Sequence, residues 1–435
     1  MSENNLKTLK GKVSPFRALP FSVQQVLAMF VTNIVPIGVI AVAASPALSE
    51  TEILILVQNA MIAAGIATFI QATPIWRLGS GLPIVMGLSF TFMVPLAAIA
   101  GKYGYGTMVG TVLIGGIFEG ILGLTARYWK NLIAPIVSAT VVTGIGMSLL
   151  STAARSFGGG YVQDFGSTAN LVIGIVTLAA CLAWQIFTKG TKKQLAILIG
   201  LIAGYLTAML FGKVELKGLA DGGWFALPKI LPYTPKFRVD AILSICIIYL
   251  VSATETIGDA SALASGALHR EVTQHEISGA LTVDGFGSMI GGLLGVSPVT
   301  SYSENIGLTI MTGVVNRTVA RVAALIMIIC GLFPPIGAFV RTIPTAVIGG
   351  VLLIVIGQIV VSGFQMISEA GFTPRNKLIA SLSLSMGIGF TASTEAGIWE
   401  SFPVWVQSIF AQNVVAVIFA VAILLNLILP KNLKD

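Results

Sequence analysis

Residues 295–307 read Gly295-Val296-Ser297-Pro298-Val299-Thr300-Ser301-Tyr302-Ser303-Glu304-Asn305-Ile306-Gly307. The run is flanked by long apolar segments, yet it carries a carboxylate, an amide and four serine or threonine hydroxyls. A membrane-spanning helix needs about 20 mainly apolar residues. This stretch cannot supply them, because the apolar run after Gly307 soon reaches Arg317. Irregular backbone is tolerated at membrane depth only where protein buries it or where it lines a cavity. Residues 296–303 are therefore expected to be extended and residues 304–315 to form a half-helix, with Ser303 as N-cap. Such a half-helix aims unpaired N–H groups and a positive dipole end at a site. Broken helices of this kind mark substrate sites in secondary transporters.

The composition agrees with a membrane setting. Of 435 residues, 55% are hydrophobic and only 10% charged. The alternation of a porin-like barrel is missing, so the fold class expected is an all-α polytopic membrane protein. The net charge of +7 lies in short loops between apolar runs. Topology explains it better than nucleic acid, and no nucleic-acid partner is expected. Lys7, Lys10, Lys12 and Arg17 precede the first apolar run, and no small-residue cleavage pattern follows it, so no cleavable leader is expected. Cys181, Cys246 and Cys330 lie inside apolar runs without metal-ligand or disulfide spacing, and read as packing residues.

Fourteen hydrophobic segments are expected, near 22–44, 52–71, 82–99, 104–124, 131–151, 169–187, 194–212, 240–263, 277–295, 296–315, 318–340, 345–363, 377–393 and 411–430. With the N-terminus in the cytoplasm, 17 of the 25 Lys and Arg residues fall inside. Five of the eight outside sit in one longer loop, 213–239. The bias supports both termini inside and an even number of spans. Segment 3, with Ser89-Phe90-Thr91-Phe92, parallels segment 10 in being short and polar-centred. Ala134-Pro135 opening segment 5 parallels Ile343-Pro344 opening segment 12. Each pair is seven segments apart. Seven is odd, so the second half must be inverted relative to the first, as in transporters built from two inverted repeats.

Five acids fall inside the expected spans: Glu119, Glu255, Asp259, Asp284 and Glu304. A carboxylate at mid-bilayer costs about 2.5–3.5 kcal/mol on insertion scales, so each should face a cavity, a partner or a proton path. Glu255 and Asp259 are four apart and share one helix face. Crowded, desolvated carboxyls hold protons more tightly. Proton coupling through Glu255, Asp259 and Asp284 is expected on that ground, with helix–helix hydrogen bonding as the plainer alternative. Asp284 lies among Gly279, Gly285 and Gly287, where close helix packing is expected, and Glu119 reads as structural. The hydroxyls and aromatic rings of Ser89-Phe90-Thr91-Phe92 suit a flat heteroaromatic ligand, or are ordinary core side chains. His269 and His275 fall in the 264–276 loop, outside every span. No Walker loop, catalytic-triad order, metal cluster or heme motif is found, so neither an enzyme nor a cofactor is expected.

Glu304-Asn305-Ile306-Gly307-Leu308-Thr309-Ile310-Met311-Thr312-Gly313 resembles the signature of the nucleobase–ascorbate transporter family. That signature is an acid, amide or proline, then Asn, any residue, Gly, four free positions, Thr, and Arg, Lys or Gly. Glu255-Thr256-Ile257-Gly258-Asp259 looks like the family's segment-8 motif, with the Gly-Asp ending of its purine branch. Leu332-Phe333-Pro334 and Ile343-Pro344 also look familiar, and the resemblance runs from about Phe21 to Pro430.

The resemblance implies fourteen segments in two inverted repeats of seven. A core domain would comprise residues 21–124 and 240–340, and a gate domain residues 125–239 and 341–430, with cytoplasmic tails at 1–20 and 431–435. It implies a homodimer in the cell membrane that moves a nucleobase with protons, sodium being the less expected ion. Carried over by position, Glu255 would accept N–H bonds from the base. Glu304 would do the same or hold the segment-10 backbone. Groups near Phe90 and Ser89 would complete the site, and Asn305 would position the half-helix. Gln25 stands where the family usually has His. It can donate and accept hydrogen bonds but cannot titrate. Ser89, smaller than the Asn of some xanthine-specific relatives, leaves room for an extra oxo group as in urate. A purine carrier for xanthine or urate is thus expected. The alternatives are a uracil or other pyrimidine carrier, or an anion transporter of the same architecture.

Overall fold

The computed structural model describes residues 3–30, 33–129, 134–160, 164–189, 195–214, 223–393, 397–403, 406–407, 410–411 and 413–430. Within them the chain is mostly helical, with one two-stranded sheet. The first half runs α1 (Glu3–Leu6), α2 (Pro15–Met29), α3 (Val35–Ala43), α4 (Glu50–Ala72), β1 (Met86–Leu88), α5 (Met93–Tyr103), α6 (Tyr105–Trp129), α7 (Pro135–Phe157), α8 (Thr168–Phe187) and α9 (Ala196–Leu210). The second half runs α10 (Val239–Leu268), α11 (Gln274–Leu293), β2 (Val299–Ser301), α12 (Ser303–Thr312), α13 (Arg317–Leu332), α14 (Pro334–Arg341), α15 (Thr345–Ala370), α16 (Pro374–Ala392) and α17 (Val414–Ile428). Six described helices, α4, α6, α7, α8, α10 and α15, are long and apolar enough to cross a membrane.

Local chemistry sets many of the helix ends. Ser49 with Glu52, and Thr273 with Glu276, form reciprocal capping boxes on α4 and α11. Asn316, Thr373 and Asn413 cap α13, α16 and α17 through their side chains. Glycine governs how closely α6 and α11 approach. A Cβ on Gly116 would lie 2.8 Å from both the Gly285 carbonyl oxygen and the Met289 nitrogen. The small residues around Asp284 thus serve the close packing read from the sequence.

Helices α4, α10 and α11 pack against the small sheet, with α6 laid along α11 and α13 along α4 behind them. Helix α7 packs on α15, α8 on α9 and α15, and α16 on α17, while α10 reaches both α7 and α17.

Several expected boundaries change. The run at 22–44 is two helices, α2 and α3, rather than one. Asn33, in the break, accepts a 2.7 Å hydrogen bond from the Leu88 N–H of β1, and Pro36 suits the first turn of α3. The run at 318–340 splits at Phe333, because the Pro334–Pro335 pair removes donors and disfavours a helical residue before it. The 264–276 loop shrinks to 269–273, so His275 sits in the first turn of α11 and His269 caps α10 in a left-handed conformation. Residues 3–20, within the expected tail, hold α1 and the start of α2. The Asn316 amide donates to the carbonyls of Asn5 (2.9 Å), Thr8 (2.9 Å) and Gly11 (2.8 Å). Leu6 and Val13 pack against Ala18, Val314 and Val319.

Candidate functional site

The two short segments meet. β1 and β2 form an antiparallel ladder that pairs Met86 with Ser301, Gly87 with Thr300 and Leu88 with Val299. Ser89 N–H to Pro298 C=O and Tyr302 N–H to Val85 C=O, both 3.0 Å, extend it at either end. Met86 N–H donates sideways to Thr68 Oγ1 at 2.9 Å, and Leu88 N–H donates to Asn33. These bonds satisfy the backbone groups that make extended chain costly at membrane depth. Gly87 lets the strands close, since a Cβ there would meet the Tyr302 ring at 2.7 Å.

From this crossing each strand leads into helical backbone. β1 passes through Ser89 into a 3-10 turn at Phe90–Phe92 and then α5; β2 passes through Tyr302 into α12. Neither start carries a side-chain cap. Ser303 is not the N-cap expected for α12: Tyr302 holds that position, and the Ser303 hydroxyl is drawn to Asp259. The half-helix ends at Thr312, not 315, because Gly313 turns left-handed at φ 64°.

Helix α10 runs past both starts and presents Glu255 and Asp259 to different ones. Thr91 Oγ1 donates to Glu255 Oε2 at 2.9 Å. Ser301 Oγ and Ser303 Oγ donate to Asp259 Oδ2 at 2.6 and 3.0 Å. Behind them, Thr256 donates to Asp284 and lies 3.2 Å from the Ser301 hydroxyl. Asp284, Thr256, Ser301 and Asp259 therefore form one continuous polar line between α11 and the start of α12. Glu255 is half-buried, whereas Asp259 is buried and Asp284 and Glu119 are fully buried.

Gln25 and Asn305 are also brought together. The Asn305 amide donates to the Gln25 carbonyl at 3.1 Å, and Gln25 Nε2 reaches Thr309 Oγ1 at 3.4 Å. Both side chains are buried, and Gln25 Oε1 and Asn305 Oδ1 have no partner among the described residues. The side chain of Glu304 lies outside the described residues.

Phe90 and Phe92 differ. Phe92 is core, its ring 4.5 Å from that of Tyr249. Phe90 lines a narrow cleft of about 10 Å³, closed in this conformation, with Thr91, Val94 and Pro95 on one wall and Ser148 and Asn413 on the other. An aromatic face, a hydroxyl linked to a carboxylate and two polar side chains opposite suit a flat polar ring. Sequence reading missed Asn413 and Ser148, which lie far from any acid in the chain. Thr91 stands out in the chain only as part of a cluster, because the carboxylate that reaches its hydroxyl comes from a helix 164 residues on.

Away from the spans, one ion pair is well defined, between half-exposed Arg270 and buried Glu276. Arg270 donates to both Glu276 oxygens at 2.8 and 2.5 Å. Burial pushes the Glu276 carboxyl up, but Arg270 and the Thr273 N–H and hydroxyl outweigh it and hold the group below its usual range.

Comparison with known proteins gives a consistent result. The family model described as "Permease family" matches residues 16–396. The chain is similar to the xanthine permease of Bacillus subtilis (30% identity, covering 95% of this chain and 93% of that protein). It is also similar to the uric acid permease PucJ of the same organism (30%, 90% and 88%). Among solved structures, the transmembrane domain of the cyanobacterial bicarbonate transporter BicA superposes with TM-score 0.59 at 15% identity, covering 97% of this chain and all of that domain. That likeness is one of fold.

Proposed function

The chain belongs to the nucleobase–ascorbate transporter family, a family of multi-pass membrane permeases and not of enzymes, and from that premise we propose that it takes up a purine base, xanthine or urate, together with protons across the cell membrane. The observation that carries this reading is the placement of Glu255. Its carboxylate meets Thr91 at the Phe90 cleft, beside the uncapped start of the first broken segment, while Asp259 one turn on meets the start of α12. A purine presents adjacent N–H and C=O groups in one plane. Glu255 accepts from the N–H edge, uncapped backbone amides near Ser89 and Tyr302 donate to carbonyls, and the ring stacks on Phe90. Asn305 and Gln25 hold the half-helix in register, with Glu304 at its first turn.

Fourteen segments in two inverted repeats accommodate this site. The core of 21–124 and 240–340 carries Glu255, Phe90 and the ladder; the gate of 125–239 and 341–430 supplies the opposite wall from α7 and α17. The chain works as a homodimer with both termini in the cytoplasm, in keeping with the Lys/Arg bias. Protonation among Glu255, Asp259 and Asp284 couples movement to the proton gradient. A carboxylate at Glu255 disfavours a bare anion as substrate, since unpaired like charges repel.

The test is uptake of labelled xanthine into proteoliposomes under an imposed proton gradient, competed by urate, guanine, uracil and ascorbate. Competition by purines alone, abolished by an uncoupler, is the expected result. Competition by uracil with no xanthine uptake would overturn the purine assignment, and uptake driven by sodium alone would overturn the proton assignment.

A further inference from the structure

At the end of the molecule that the Lys/Arg distribution assigns to the cytoplasm, α6, α11 and the chain after α4 form an open groove of about 370 Å³, apart from the cleft described above. Arg77, Arg127, His275, Gln274, Ser278 and Leu124 line it. Its walls are fixed. Thr282 Oγ1 donates to the Arg77 carbonyl at 2.6 Å, and Ser278 Oγ donates to the Gly123 carbonyl at 2.7 Å. Gly79 N–H donates to the Gly279 carbonyl at 3.1 Å. Among the described residues neither arginine forms an ion pair. The nearby acid Glu276 is committed to Arg270. Each arginine instead lies over an exposed ring of the interfacial type, Arg77 5.5 Å from the Trp76 centroid and Arg127 4.3 Å from that of Tyr128.

The groove also has an apolar continuation. Ile117 (45% exposed), Ile121 (54%) and Leu124 (44%) make one stripe on α6 that runs from it along the helix. From 117 to 124 this is about 10 Å of rise. We propose that the groove binds the phosphate headgroup of an anionic phospholipid, with an acyl chain along the Ile117–Ile121–Leu124 stripe. Two arginines without acidic partners supply the charge, as in basic pockets between helices that hold anionic headgroups. The interfacial rings set the depth, and the stripe distinguishes a lipid from a free phosphate.

The experiment is a native mass spectrometry titration of the detergent-purified protein with phosphatidylglycerol, phosphatidylcholine and inorganic phosphate. Wild type should retain phosphatidylglycerol preferentially. Arg77→Gln with Arg127→Gln should weaken it about 25-fold, at roughly fivefold per arginine, with phosphatidylcholine unaffected. Arg77→Lys with Arg127→Lys should retain most of the binding. If the double Gln variant is not monodisperse, Arg127→Gln alone, at an exposed side chain, should still show the fivefold loss. Unchanged phosphatidylglycerol binding in a folded Gln variant would overturn the proposal. So would equal retention of phosphatidylcholine, or displacement of the lipid by millimolar phosphate, which would mark a free-anion site.

Discussion

Thr91 donates a 2.9 Å hydrogen bond to Glu255, joining a broken segment of the first half of the chain to a long helix of the second. The bond fixes which way the carboxylate points and occupies one of its four lone-pair directions. Thr91→Val should raise KM for the base about 10- to 100-fold, in line with roughly 1.5–3 kcal/mol for a hydrogen bond to a charged group. Thr91→Ser should recover most of it. Initial-rate uptake assays on the two variants, normalised to protein in the membrane, would check this; equal loss in both would point to packing.

The Asp259 carboxylate holds β2 and α12 through two serine hydroxyls. Removing both with Ser301→Ala and Ser303→Ala takes two hydroxyl donors from a buried carboxylate, which costs about 1–3 kcal/mol. We expect a lower melting temperature for the detergent-purified double variant and a larger loss of uptake than either single change produces. Additive single effects would show that the two hydroxyls act separately.

Ser89 adjoins Phe90 at the end of the ladder. Ser89→Asn adds bulk where the extra oxo group of urate would lie. Urate should then compete about tenfold less well against xanthine, within the range seen for one added or missing small group. An unaltered inhibitor profile would remove Ser89 from the list of specificity residues.

Gly116 and Gly285 set the α6–α11 distance. Gly116→Leu forces a side chain into the Gly285 and Met289 backbone, which cannot yield as a flexible side chain would. Overpacking of this kind costs about 1–3 kcal/mol and occasionally more. Reduced monodispersity on size-exclusion chromatography is expected, whereas Gly120→Ala, facing open space, should behave as wild type.

The Arg270–Glu276 pair gives a pH dependence with a definite sign. The Glu276 carboxyl sits below its usual range in the folded protein. Its contribution to stability is complete above the unfolded value of about 4.3 and disappears as pH falls through the lower folded value. Melting temperature should therefore drop on acidification below about pH 4 more steeply in wild type than in Glu276→Gln. Parallel curves would mean the pair contributes nothing.

Much of this was legible in the chain itself. Ser297 to Gly307 announced a broken segment because polar residues cannot be spread over an apolar span, and the matching polarity of Ser89 to Phe92 announced its counterpart. The period of four between Glu255 and Asp259 put them on one face. Which hydroxyl each carboxylate would meet was not legible, because Thr91 and Ser301 reach α10 only through tertiary packing across more than forty residues. The break in segment 1 escaped for a similar reason. Its cause is partly Asn33 bonding to Leu88, 55 residues away, and apolar composition is blind to that. Ser303 looked like a cap by residue type, but a nearby carboxylate competed for its hydroxyl.

The clasp that Asn316 makes on the first residues has a consequence for synthesis. Asn5 and Asn316 are 311 positions apart, so at about 5–20 residues per second the start of the chain waits roughly 15–60 s for its partner to be made. Until then Leu6 and Val13 have nothing of the 314–319 region to cover. Closure of the clasp therefore waits until α12 and the start of α13 have emerged, and it ties an early-made stretch to one made 311 positions later.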